Sequence, residues 1–311
     1  MDFEDFTLFD VFWKNKLIYL VLSINNNLIN EKDLIVSLNE IKLNIKEKIV
    51  KDKYEPTLLF IYDDKNVDIT KDFNIKILYN DKEYKNKIEK IENMKKKNFL
   101  ALTTLFKNDY NLFKNFYEYY KNQGVEHFFM YYNGLLNDEI KKIFNYNDVT
   151  LIEWNFRYWN PSNYKYGHHA QTSQIHHALY KFGKDNYQYM IFNDLDEYLF
   201  IPNIKLINYI KLNPEIDSFG FKNIWSKTID DNKNFQENLI ISETLKYPYR
   251  SKCIHKISSI KTLNIHCGDK YLLEPKININ NTMFHFYNWT KTNRLENTNK
   301  IIKLNLNFLK L

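Results

Sequence analysis

One stretch of the sequence decides the fold: Asn193-Asp194-Leu195-Asp196-Glu197-Tyr198, which directly follows the apolar run Tyr189-Met190-Ile191-Phe192. A short apolar run of this kind is typical of a buried strand. Side chains two apart on a strand share a face, so we expect Asp194 and Asp196 to point the same way and Leu195 to enter the core. Burying unpaired charge costs several kcal/mol, so the paired carboxylates predict a bound divalent cation. A cation with open positions can in turn hold a diphosphate.

Strands and helices alternate along the chain around this stretch. Three further strands are predicted at residues 99–105, 126–132 and 149–154. Helices are predicted at residues 109–123, 139–144 and 167–182. In the first of them, apolar and aromatic residues recur at helical spacing. This order predicts an α/β fold with a doubly wound, mostly parallel sheet.

In such sheets, ligands bind beyond the carboxyl ends of the strands, and the crossover helices begin at that same edge. Asp109, Asn133 and His168 each lie where a predicted strand ends or a predicted helix begins. The topology therefore predicts that these residues converge with Asp194 and Asp196.

Residues 1–95 have a different pattern, which predicts a β-rich accessory domain. Apolar strands at residues 17–24, 57–62 and 75–79 are separated by turns rich in Asn and Asp. We therefore divide the chain into this domain and a catalytic-type domain of residues 96–311. Beyond the acidic stretch we expect a strand at 218–221, a loop at 225–234, two short strands within 254–265 and a basic helix from about residue 290.

The composition is that of a folded protein without a nucleic-acid or membrane signature. The 311 residues are 44% hydrophobic and 17% aromatic, enough for one large domain or a large domain with a small companion. The net charge, 44 − 38 = +6, is spread along the chain, which disfavours nucleic acid as a partner. No uncharged apolar window approaches the about 18 residues expected of a membrane span.

Cysteine usage and the N-terminus predict a cytoplasmic protein. Cys253 and Cys267 form neither a disulfide framework nor a zinc-ligand pattern. The first residues are acidic and lack the apolar segment of a signal peptide. Asn, Lys and Ile are abundant throughout, which we attribute to an AT-rich genome.

Several blocks of the second half, taken in order, resemble glycosyltransferase family 92. The first is a helix ending in tyrosine, then Gly-Val, a charged residue and His-Phe, here Tyr119-Tyr120-Lys121-Asn122-Gln123-Gly124-Val125-Glu126-His127-Phe128. A strand ending in Tyr-x-Asn follows, as Tyr131-Tyr132-Asn133. The acidic stretch looks like the family's Asp-x-Asp-Glu-Phe signature. Later blocks are similar at Tyr249-Arg250-Ser251-Lys252-Cys253-Ile254, Ile265-His266 and Met283-Phe284-His285-Phe286-Tyr287.

The resemblance implies a GT-A fold and an inverting transfer of a sugar from a nucleotide-sugar donor to a hydroxyl of a glycan or protein-linked acceptor. It also implies a divalent cation, Mn²⁺ or Mg²⁺, and we expect the donor to be linked to UDP. The Asn, Lys and Ile bias and the lack of an anchor fit a giant-virus or protist enzyme working in cytoplasm.

The residue types then suggest individual roles. Metal ligands are expected at Asp194, Asp196 and His285, whose imidazole suits Mn²⁺ better than Mg²⁺. Contacts to the donor are expected from Thr104, Asp109, Asn133, His168, Asp194 and Lys252. An inverting transfer also needs a base for the acceptor proton. We assign that role to Asp231, with Asp230, Glu243 and Asp269 left open.

Two other functions remain open on the sequence alone. The chain could be a non-catalytic glycan- or nucleotide-binding module with a degenerate GT-A fold, in which the surplus aromatic residues serve as sugar platforms. A phosphohydrolase of the haloacid-dehalogenase type also carries Asp-x-Asp after a strand, but Tyr198 stands where that motif has Thr or Val.

Overall fold

The computed structural model describes residues 1–3, 5–24, 33–50, 57–63, 74–159, 169–228, 239–242, 250–266, 276–286 and 301–304. Within these ranges the strands are β1 (Phe6–Lys14), β2 (Leu17–Ile24), β3 (Ile35–Leu38), β4 (Ile41–Lys42), β5 (Ile45–Val50), β6 (Thr57–Asp63), β7 (Asn74–Tyr79), β8 (Lys82–Lys87), β9 (Glu89–Ile91), β10 (Asn98–Phe106), β11 (His127–Tyr132), β12 (Val149–Glu153), β13 (Tyr187–Phe192), β14 (Glu197–Phe200), β15 (Ser218–Thr228), β16 (Leu239–Ser242), β17 (Lys252–Lys256), β18 (Lys276–Phe286) and β19 (Ile301–Leu304). The α-helices are α1 (Phe113–Asn122), α2 (Asp138–Ile143), α3 (His169–His177) and α4 (Leu206–Leu212). None of the described helices is long and apolar enough to cross a membrane.

The chain forms two compact units, one of Met1–Lys97 with Phe156–Asn186 and one of Asn98–Asn155 with Tyr187–Leu311. In the first, one sheet has the strand order β5-β6-β2-β1-β9 and another the order β4-β3-β7-β8. The pair β1 and β9 is parallel, and the other pairs are antiparallel. Apolar residues of both sheets share one core, which makes this part a sandwich.

Three two-residue hairpin turns connect neighbouring strands of these sheets. They are Asn15-Lys16, Asn39-Glu40 and Asn80-Asp81, and both residues of each turn have positive φ. That is the type I′ geometry, which matches the twist of the flanking strands. Asn stands first in each turn because its short polar side chain tolerates the left-handed region.

Helix α3 and the π-helical segment Ala178–Gly183 that continues it belong to the first unit and contact β2. The division predicted at residues 95 and 96 assigned this helix to the second domain. In the structure, residues 156–186 belong to the first unit instead. The helix is buried on every side, and two of its histidines bond to side chains of the N-terminal strands. His177 Nε2 lies 2.7 Å from Asp10 Oδ2, and His169 Nδ1 lies 3.0 Å from Ser23 Oγ.

The ammonium group of Lys14 closes the end of this helical segment. It is buried and donates to the carbonyls of Tyr180 and Lys181, at 3.2 Å each, and of Lys184. These are the carbonyls that lack an intrahelical partner where a helix ends. Burial lowers the pKa of Lys14 to about 8. One strand residue thus caps a helix that lies 166 to 170 residues later in the chain.

A ten-stranded mixed sheet, counted over the described residues, forms the second unit. Its order is β12-β11-β10-β13-β17-β15-β16-β19, with β18 beside β15 and β14 beside β18. The strands β12, β11, β10 and β13 are mutually parallel, as predicted, so their carboxyl ends meet at one edge. Helices α1, α2 and α4 pack into one core with residues such as Leu102, Ile191 and Phe219. The predicted α/β class is confirmed.

Three local predictions for the second half are wrong. β15 continues to Thr228, where a loop was expected from residue 225. A 3₁₀ turn, Ile257–Ser259, follows β17 in place of a second short strand. The expected C-terminal basic helix is contradicted by β19. In addition, Cys253 is disulfide-bonded, which the cysteine pattern did not predict.

Gly124, which ends α1, offers a test of the packing between α1 and α4. Its φ is +96°, and a Cβ there would lie 2.4 Å from Cγ2 of Ile207. We expect Gly124→Ala to destabilise the unit by about 1–2 kcal/mol through the backbone and by about 1–3 kcal/mol through the clash. Urea unfolding measures the loss. Ile207→Gly removes both clashing atoms, Cγ2 and the Cβ that lies 2.6 Å from the added carbon. Adding Ile207→Gly, with Ile207→Gly alone as baseline, should recover only the second part; complete recovery would contradict the backbone argument.

His169 makes the stability of the first unit depend on pH. Burial lowers its folded-state pKa from 6.5 to about 4, so below pH 6.5 the unfolded chain binds a proton that the folded chain does not. Stability is therefore complete above pH 6.5 and falls, by about 3 kcal/mol in all, as the pH drops to about 4. We expect His169→Gln to flatten this decline in urea midpoints measured from pH 7 to pH 4. Parallel curves for the two proteins would refute it.

Candidate active site

The acidic stretch forms a tight turn at the carboxyl end of β13. The strand ends at Phe192, and the N–H of Glu197 donates to the carbonyl of Asp194 at 3.1 Å. The sequence predicted that Asp194 and Asp196 share a strand face. They do not, because the strand ends at Phe192, before either of them. Leu195 enters the core as expected.

Two consecutive tyrosines of α1 anchor this turn. The hydroxyl of Tyr120 donates to the carbonyl of Glu197 at 2.9 Å and accepts from the N–H of Leu199 at 2.9 Å and from Nδ2 of Asn193 at 2.8 Å. The hydroxyl of Tyr119 donates to the carbonyl of Leu199 at 2.6 Å. All these bonds are buried, where a hydrogen bond is electrostatically stronger than in water. The turn is therefore fixed to the helix.

A buried ion pair lies beside the turn. Nζ of Lys252 lies 3.2 Å from Oδ2 of Asp194 and 3.1 Å from Oε2 of Glu197. Burial raises the pKa of Glu197. Burial alone would lower the pKa of Lys252, but the two carboxylates outweigh it and hold that pKa above its usual range. Glu197 is not among the predicted site residues, because nothing in the sequence of an acidic turn indicates which carboxylate is buried.

Asp196 is paired with His285 across strands. β14 and β18 are antiparallel and place Glu197 opposite His285, while the N–H of Phe286 donates to the carbonyl of Asp196 at 2.8 Å. This brings Nε2 of His285 to 3.2 Å from Oδ2 of Asp196. Burial opposes charge on the imidazole, but the Asp196 carboxylate outweighs it and raises the pKa of His285.

Asp109 lies at the same edge, just after β10. Burial, together with the charges of Asp196 and Asp194, raises the pKa of Asp109, so these carboxyl groups are close enough to interact. Thr104 is buried in β10, and its Oγ1 has no hydrogen-bond partner among the described residues. Asn133 donates from Nδ2 to the carbonyl of Trp154 at 2.8 Å and so ties the ends of β11 and β12 together.

The remaining candidates lie outside the described residues. They are His168, expected to contact the donor, and the four acids considered as the base: Asp230, Asp231, Glu243 and Asp269. Their roles stay predictions.

Two of the three predicted metal ligands are brought together. Within the described ranges, no three His, Cys, Asp or Glu side chains form a group able to hold a metal ion, and Asp194 faces Lys252 instead. The ligand atoms of Asp196 and His285, however, are 3.2 Å apart. Adjacent ligands at about 2.1 Å from an octahedral ion are separated by about 3 Å. A carboxylate and an imidazole with open positions opposite them therefore fit a cation that is also bound by phosphates.

A family model described as glycosyltransferase family 92 matches residues 99–308. This range is more than half of the chain and contains Asp109, the acidic turn, Lys252 and His285. The chain belongs to glycosyltransferase family 92. Membership confirms the resemblance drawn from the ordered sequence blocks, and with it the predicted class of enzyme, a glycosyltransferase.

Among solved structures, this family 92 chain is similar to the apo structure of WbbM, a bifunctional glycosyltransferase, with 9% identity and a TM-score of 0.29. The match covers 48% of this chain and 26% of that one, so the chain spans about a quarter of its length. No curated protein matches the chain.

The anchoring role of Tyr120 leads to a stability prediction. Tyr120→Phe leaves the N–H of Leu199 without its buried partner and the carbonyl of Glu197 with only the long 3.4 Å contact from Nδ2 of Asn193. We therefore expect a loss of about 1–3 kcal/mol in urea unfolding. Tyr117→Phe is the matched control on the same helix, since that hydroxyl donates to the partly exposed Asp148 at 2.9 Å. Equal losses in the two variants would show that the turn does not depend on Tyr120.

Proposed function

We propose that this family 92 member is a metal-dependent, inverting glycosyltransferase with a doubly wound GT-A fold. It moves a sugar from a UDP-linked donor to a hydroxyl of a glycan or protein-linked acceptor. The observation that carries the proposal is the Asp196–His285 pair at the carboxyl edge of the parallel strands, with Asp194 beside it. Ligands of open α/β sheets bind at this edge.

The charge balance of the cluster supports a cation. Asp194, Asp196 and Glu197 bring three carboxylates to one ammonium group, that of Lys252. With a neutral imidazole this leaves an excess of two negative charges, which a divalent ion held by Asp196 and His285 offsets. When bound, the ion stabilises the charge that develops on the departing nucleoside diphosphate.

The chain's own residues hold the reacting groups in place. Tyr119 and Tyr120 fix the acidic turn, so its carboxylates need no reorganisation during the reaction. Thr104, Asp109, Asn133 and His168 are proposed to contact the donor. Asp231 is proposed to take the proton of the acceptor hydroxyl as its oxygen attacks the anomeric carbon. The first unit, rather than residues 1–95 alone, is proposed to be an accessory domain.

A second candidate function is a non-catalytic nucleotide- or glycan-binding module. One observation favours it: the described residues contain no complete three-ligand metal group. Such a module would bind nucleotide sugars without turnover, so assaying transfer and donor hydrolysis over a panel of nucleotide sugars with Mn²⁺ separates the two functions.

Asp196→Ala tests the metal-dependent transfer directly. Loss of the cation's charge stabilisation is worth several kcal/mol, so we expect transfer to fall roughly 10³-fold while the variant remains folded, with a cooperative unfolding transition in EDTA. Asp138→Asn is the control, because that side chain is 92% exposed and lies on α2. Near-normal transfer by Asp196→Ala with added Mn²⁺ would rule out the metal assignment.

A further inference from the structure

Glu197 is a deeply buried charged group at the candidate site, and the roles assigned above leave it unused. Only 1% of its side chain is exposed. It opens β14, and its backbone carbonyl is held by the hydroxyl of Tyr120. Its position is therefore set by the core of the unit rather than by solvent.

The carboxylate of Glu197 contacts the backbone of Asp194 and the ammonium of Lys252, and it lies near the ring of His285. Oε2 accepts from the N–H of Asp194 at 2.9 Å and from Nζ of Lys252 at 3.1 Å. Oε1 lies 3.8 Å from Nδ1 of His285, whose other nitrogen faces Asp196. That distance is too long for a hydrogen bond, but the attraction between charges still acts across it.

The ammonium of Lys252 is paired with the carboxylates of the same turn. Its side chain is 3% exposed, and its ammonium lies within 3.2 Å of carboxylate oxygens of both Asp194 and Glu197. The sequence pattern predicted that this lysine contacts the donor. In the structure its charge instead balances two carboxylates.

We propose that Glu197 is a positioning residue of the cation site: its carboxylate orients the backbone of Asp194 and the ring of His285, and Lys252 is its counter-ion rather than a diphosphate contact. The inference rests on the proposed function. Glu197 acts through its hydrogen bond from the N–H of Asp194 and through its charge, 3.8 Å from the ring of His285. Removing a group that orients metal ligands typically weakens metal binding by about 10- to 100-fold.

A purely structural ion pair would behave differently. Replacing a buried pair by uncharged residues of similar size is often neutral for stability, whereas removing one partner leaves the other charge buried and uncompensated. Stability should therefore follow the pairing of charges. Metal affinity should follow the presence of the Glu197 carboxylate.

The experiment compares variants of the full chain with the wild type. The variants are Glu197→Gln, Glu197→Asp, the double variant Glu197→Gln with Lys252→Met, and the control Asp217→Asn. Asp217 pairs with Lys256, at the other end of β17, at 3.4 Å. Three quantities are measured: Mn²⁺ binding by calorimetry with the metal alone, the unfolding midpoint in EDTA, and kcat and KM for the nucleotide sugar that the wild type uses.

We expect Glu197→Gln, which leaves Lys252 paired with Asp194, to unfold close to the wild-type midpoint, and both it and the double variant to bind Mn²⁺ about 10- to 100-fold more weakly, with kcat reduced. Glu197→Asp, which keeps the charge but withdraws the oxygens, should also bind Mn²⁺ more weakly, and Asp217→Asn should bind it as the wild type does. Wild-type Mn²⁺ affinity in both the double variant and Glu197→Asp would overturn the inference while leaving the proposed function intact. A wild type that neither binds Mn²⁺ nor turns over any donor would overturn the proposed function, and the inference with it.

Discussion

The hydroxyl of Tyr120 is the contact on which the acidic edge of the second unit depends. A phenol offers one donated and two accepted hydrogen bonds, and Tyr120 makes all three inside the core. Its partners are Asn193, at the end of β13, and the backbone of β14. The turn that carries the aspartates is held between these two points, so its conformation follows from the packing of α1 on the sheet.

Both units bury clusters of charge, and the difference between the clusters is informative. In the first unit, Asp10 receives hydrogen bonds from His177 and Lys181. Burial opposes them, yet together they lower the pKa of Asp10 to about 2, as expected of a satisfied carboxylate. In the second unit the carboxylates outnumber the cations, and burial, together with the charge of Asp194, raises the pKa of Glu197 despite Lys252. A buried cluster in which charges of one sign are in excess favours binding of a ligand of the opposite charge.

The sequence predicted β2, β6 and β7 of the first unit and the parallel strands β10 to β13 of the second, because apolar runs bounded by Asn- and Asp-rich turns leave few alternatives. The other six described strands of the first unit were not predicted. It also predicted the meeting of Asp109 with Asp194 and Asp196, which follows from parallel topology. The orientation of the two aspartates was missed because the period-two argument holds only as far as Phe192. The burial of Glu197 could not be predicted, because its partner Lys252 is distant in sequence and the sequence does not distinguish a buried lysine from an exposed one. The packing of α3 was missed because a helix that buries every side carries no apolar stripe.

The cap that Lys14 places on the helical segment after α3 has a consequence for how the protein is made. A ribosome synthesises β1 through β9 first, then the strands β10 to β12 of the other unit, and only afterwards the residues whose carbonyls Lys14 binds. During that interval an ammonium group destined for the interior has no partner, and one face of the N-terminal sheet is open to solvent. The first unit to emerge is therefore completed late, after part of the second has already been translated.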